Sequence, residues 1–68
     1  MANTVLKMIE VVGTSEKGLD DAIREAVSRA SKTVRNMQWF EVTEIRGSID
    51  DEAVAQFQVM VKIGFAID

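Results

Sequence analysis

AVAQFQVMVKIGFAI, residues 53–67, alternates apolar and polar more cleanly than any other stretch of this chain. Ala55, Phe57, Val59, Val61, Ile63, Phe65 and Ile67 point one way, and Gln56, Gln58, Met60, Lys62 and Gly64 point the other. A period of two is the signature of a strand with one buried face. This is the longest strand pattern in the chain, and its apolar face needs cover from another element.

Working outward, that cover lies upstream. Leu19, Ala22, Ile23, Ala26, Ala30, Val34 and Met37 fall at helical spacing. Gly18 or Ser15 stands where a cap is needed, Asp20 and Asp21 fill the first turn, and Lys32 and Arg35 fill the last. Asn36 suits the left-handed conformation that ends a helix. Three alanines make the stripe narrow, so its partner must pack very close, as a sheet face can. TVLKMIEVV, residues 4–12, is a strand with Val5, Ile9 and Val11 on one face and Leu6, Met8 and Val12 on the other. GTSEKG, residues 13–18, connects it to the helix. Gln38 to Ile49 is a second strand, and IDDEA turns it into the third. The chain is thus a single α+β domain over residues 1–68 in the order β-α-β-β. The crossover sets the first two strands parallel. The third slots between them, giving a three-stranded antiparallel sheet packed on one helix.

One helix covers one face only. In the second strand Phe40 and Val42 match the apolar face, whereas Trp39, Glu41, Thr43 and Ile45 share the far side with Gln56, Gln58 and Met60. Trp39 is the only tryptophan. Fully burying an indole is worth roughly 4–6 kcal/mol, for about 150–250 Å² at about 25 cal/mol/Å². It therefore calls for a partner on that face. Two readings stand: a subunit interface anchored by Trp39 and Gln58, or a ligand slot in which an aromatic face stacks and an amide meets the edge of a heterocycle.

Composition narrows the function. A 68-residue chain buries only about 60% of the surface its unfolded state exposes, and such domains usually need a staple. The absence of Cys removes disulfides and thiolates, and the absence of His leaves only carboxylates for a metal. Self-association is the staple left. A net charge of −3 argues against a nucleic-acid partner. No apolar run is long enough for a membrane span, and MANTVLKM has no signal-peptide pattern, so a cytoplasmic protein is expected. The serines have no histidine to activate them, and Glu41, Glu44, Asp50, Asp51 and Glu52 read as strand edge and turn, so no enzyme is expected. VGTS reads as a simple strand-to-helix turn, and Arg46 as either a surface ion pair or a phosphate contact.

VGTS, SRASKTVRN, WFEV, IRG and FQVMVKIGF, in this order and spacing from about Val5 to Ile67, resemble the dodecins. The resemblance implies a small β-α-β-β subunit of a hollow homododecamer that binds flavin, FMN or riboflavin, without turnover. Flavins would stack on Trp39 between symmetry-related subunits, Gln58 would bond the isoalloxazine edge, and Arg46 would meet flavin phosphate. Coenzyme A is a further ligand of some members. Ala66, where a basic residue is usual, and Ser48, where His or Thr is common, leave fewer cations for phosphate and coenzyme A. The implied role is flavin storage and protection from flavin photochemistry; the alternative is a structural subunit with no ligand. Indole is electron-rich and isoalloxazine electron-poor, so Trp39 is expected to quench an excited flavin by donating an electron and taking it back.

Overall fold

The computed structural model describes residues 4–67. Residues 1–3 and 68, on which the reading of the N-terminal stretch and of the domain's full extent also rests, lie outside it. The elements are β1 (Leu6–Ser15), α1 (Leu19–Ala30), β2 (Met37–Asp50) and β3 (Ala53–Ala66). The sheet order is β1-β3-β2 with both pairings antiparallel, so β3 is central as its alternation predicts.

The core lies between α1 and the inner face of β3. Val59, Val61 and Ile63 are the largest fully buried side chains, and Ala22, Ala26 and Ala30 face them from the helix. Each buried branched residue contributes about 1.5–3 kcal/mol. Ile9 and Val11 of β1 pack against this cluster, while Leu6, Met8 and Val12 stay exposed on the other side.

Alanine lets the helix approach the sheet closely, and Gly13 completes the fit. A Cβ at 13 would strike the Ala22 carbonyl oxygen and stand 2.9 Å from the Ala26 Cβ. The obstacle is helix backbone, which cannot swing aside. Gly13→Ala is expected to destabilise the fold by about 1–3 kcal/mol or more, seen as a lower urea or thermal midpoint. An unchanged midpoint would show that the helix can shift outward at little cost.

Helix α1 is shorter than its periodicity suggests. It ends at Ala30, and the Ala30 carbonyl accepts from the amides of Thr33 (3.1 Å) and Val34 (2.9 Å) in one closing turn. Met37 therefore belongs to β2, where it still packs on the core. The basic residue of the last turn is Arg29, paired with Glu25 at 3.1 Å, rather than Lys32 or Arg35. Asn36 is left-handed (φ 62°) as expected, but it launches β2 instead of ending the helix. At the N-terminus Gly18 is the cap residue. Ser15 ends β1 rather than lying in a loop. Its buried hydroxyl donates to Asp21 Oδ2 (2.7 Å) and accepts from the Lys17 and Gly18 amides (2.9 and 3.4 Å). Those amides are thereby occupied, in keeping with a structural turn at VGTS.

Asp51 and Glu52, both with positive φ, form a two-residue turn between the paired Asp50 and Ala53. This is the mirror-image turn that matches strand twist. The hairpin runs well past the twelve-residue helix, and the molecule measures 55 × 20 × 14 Å. Ile45, Ile49 and Val54 on this arm are 56%, 75% and 62% exposed. Apolar surface of that extent on a small chain marks an interaction surface.

Candidate ligand face of the sheet

Strand β2 is irregular, and its irregularities build the site. Gln38 is an extra residue between Met37, opposite Phe65, and Trp39, opposite Gly64. Thr43 is a second, between Val42, opposite Val61, and Glu44, opposite Met60. Each is a β-bulge, which adds a residue to one strand and changes which face the following side chains take. The bulge at Thr43 corrects the expected placement of Ile45. Opposite buried Val59, Ile45 belongs to the helix side of the sheet, not to the Trp39 face. A third shift, at Ser48/Ile49, leaves Ala55 of β3 without a direct partner on β2.

The same bulge re-aims Arg46. Strict alternation from Phe40 and Val42 would turn Arg46 toward the helix. With Thr43 inserted it stands opposite Gln58 on the far face. Arg46 Nε donates to Gln58 Oε1 at 3.2 Å, and Gln58 Nε2 donates to Gln56 Oε1 at 3.0 Å. The guanidinium thus fixes which end of the Gln58 amide is the acceptor. Thr43 Oγ1 lies 3.3 Å from the Met60 carbonyl and 3.4 Å from Glu10 Oε2, so the inserted residue is itself anchored.

At the other end of this face Trp39 is 40% exposed. Its six-membered ring crosses β3 directly over Gly64, where a Cβ would stand only 2.9 Å from Cδ2 and overlap Cε2 and Cζ2. The indole is laid across the sheet, with Gly64 beneath it. Phe40, by contrast, pairs with Ile63 on the helix side. A cavity of about 240 Å³ bounded by Val27, Met37, Gln38, Phe40 and Ile63 also touches Trp39, but it does not reach Gln58 or Arg46.

Sequence periodicity brings Trp39 and Gln58 to one face correctly, and the Thr43 bulge adds Arg46 to it, yet the three are not one cluster. Between the Trp39–Gly64–Met8 row and the Arg46–Gln58–Thr14 row lie two others, Glu41–Lys62–Glu10 and Glu44–Met60–Val12. Gly64 and Gln58 are six residues apart on β3, about 20 Å at 3.3–3.4 Å per residue. In the nearer intervening row Lys62 stands between two carboxylates, a favourable cross-strand arrangement. The role of Gly64 was not visible in the sequence. A glycine inside a central strand was the only signal, and its meaning depends on the register that sets it against Trp39.

Among the described residues no helix is long and apolar enough to cross a membrane. The family model described as Dodecin matches residues 5–68. The dodecin of Thermus thermophilus is 50% identical over 64 residues, covering 94% of this chain and 93% of the relative. The structure of dodecin from Streptomyces coelicolor superposes with a TM-score of 0.95 at 51% identity, covering 100% of this chain and 97% of that one. Dodecin from Streptomyces davaonensis gives 0.94 at 45% identity, with 98% of each chain covered. With this strand order, this helix and these relatives, the chain belongs to the dodecin family of small oligomeric proteins.

Proposed function

We propose that this chain is a non-catalytic flavin-binding protein that stores or buffers FMN or riboflavin and quenches its photochemistry as a hollow homododecamer. The observation that carries the reading is the half-exposed Trp39 indole, spread across β3 on the same face as the Arg46–Gln58 pair. An aromatic ring with one side against the sheet is a platform for a flat, electron-poor heterocycle. Offset stacking adds roughly 0.5–1.5 kcal/mol beyond area burial. Gln58 offers an amide of fixed orientation to a heterocycle edge. Arg46 uses Nε on Gln58, and its terminal nitrogens are a cationic group on this face that suits a ribityl phosphate, whereas Lys62 on the same face stands between two carboxylates. Coenzyme A has less to hold it here, because Ala66 and Ser48 add no charge.

The spacing adds a requirement. A three-ring heterocycle centred over Trp39, and so over Gly64, is shorter than the roughly 20 Å from Gly64 to Gln58 of the same chain. The aromatic and amide contacts to one ligand therefore come from different subunits. The exposed Ile45, Ile49 and Val54 supply apolar surface for that association.

The same apolar surface favours a second reading, an assembly subunit with no ligand. Native mass together with the absorption spectrum and a fluorescence titration separates the two. The expected result is a large oligomer that extinguishes the emission of added FMN or riboflavin. A large, colourless oligomer that leaves both fully bright would establish the structural reading instead.

A further inference from the structure

We infer that Gly64 is the positioning residue of the stacking platform: its missing side chain decides where the Trp39 indole lies, and so whether a ligand ring can stack on it. The inference rests on the flavin reading and names a determinant within that site. Gly64 is buried in the central strand. The backbone does not require it, since Gly64 lies in extended strand and has no left-handed φ. Glycine weakens the interior of a strand, so its presence there needs a local reason. The reason visible in the structure is space. A methyl group at 64 would overlap Cε2 and Cζ2 of Trp39 and sit 2.9 Å from Cδ2.

The indole has little room to yield. Its backbone enters the sheet through the Gln38 bulge and is then held by pairing with β3. A Cβ at 64 can be accommodated only by lifting the ring off the sheet. Side chains in strands ordinarily stand roughly perpendicular to the sheet. An aromatic laid over a cross-strand glycine departs from that habit, a pairing that also steadies the glycine. With its lower side on Gly64 and the residue still 40% exposed, the indole offers its upper side to a ring parallel to it. Raised by a methyl group, it would present an edge.

The test uses the assembled protein and Gly64→Ala, alone and combined with Trp39→Ala. Gly64→Ala is expected to change the near-UV circular dichroism of the ligand-free protein and to weaken FMN binding about tenfold, the scale of a lost stacking interaction. In the Trp39→Ala background the space is vacated, so adding Gly64→Ala should leave the residual FMN affinity unchanged and should not lower the denaturation midpoint. Wild-type affinity in the single variant, or the same loss in both backgrounds, would overturn the inference. If Gly64→Ala does not assemble, recovery of assembly in the double variant supports it and continued failure refutes it. Should the wild type bind neither FMN nor riboflavin, the flavin reading falls. The dichroism then decides the placement alone: a changed indole signal supports it, and an unchanged one defeats it.

Discussion

Trp39→Ala is expected to lower flavin affinity about 30- to 150-fold and to leave any residual bound flavin brightly fluorescent. A ligand covers about one side of the indole, and half of a full burial worth roughly 4–6 kcal/mol is about 2–3 kcal/mol. At 1.4 kcal/mol per tenfold that gives the stated range. Loss of quenching follows because the electron donor has been removed, which a mere change in pocket shape would not do. The subunit fold should persist. Trp39 lies on an edge strand outside the core of Val59, Val61, Ile63 and the three helix alanines. Fluorescence titration with native mass measures both effects. An affinity within threefold of wild type would remove Trp39 from the site. Dissociation of the oligomer would make the indole an assembly anchor and favour the ligand-free reading.

How far the sequence reaches is best judged by comparing β3 with β2. The alternation of β3 places Val59, Val61 and Ile63 inward and Gln58 outward, and the structure agrees. Hydrophobic burial imposes that pattern residue by residue, so it can be read locally. In β2 the same method places Trp39, Phe40 and Val42 correctly but fails at Ile45. Nothing about Thr43 announces a bulge. Threonine is an ordinary strand residue, and the extra position exists only relative to β3. The consequence reaches the site, because Arg46 owes its place beside Gln58 to that inserted residue. The helix shows a similar limit. Val34 and Met37 continue the spacing of Ala26 and Ala30, yet the chain leaves the helix after Ala30. β-Branched Thr33 and Val34 are weak helix formers, and Met37 reaches the core equally well from a strand. The resemblance to a family names Trp39, Gln58 and Arg46 but not their separation, which needs the register.

That separation leads to the second large effect. Trp39→Ala and Gln58→Ala proteins, each assembled alone, are expected to bind flavin poorly. Unfolded together in equal amounts and reassembled, they should recover binding at about a quarter of the half-sites, if each contact pairs Trp39 of one subunit with Gln58 of a symmetry-related one. In such mixtures a half-site is intact when its Trp39 comes from a Gln58→Ala subunit and its Gln58 from a Trp39→Ala subunit. The two independent choices, each about one half for random mixing, give the quarter. If both groups belonged to one chain, no half-site could be whole and mixing would recover nothing. The geometry favours recovery. The Glu41–Lys62–Glu10 row and the Met60 row lie between Trp39 and Gln58 on each sheet, and a flavin centred on one indole stops short of the amide of the same chain. Fluorescence quenching titrated against the fraction of each variant reads the result. A maximum at equal proportions is expected, whereas a flat, unquenched profile would place both contacts within one subunit.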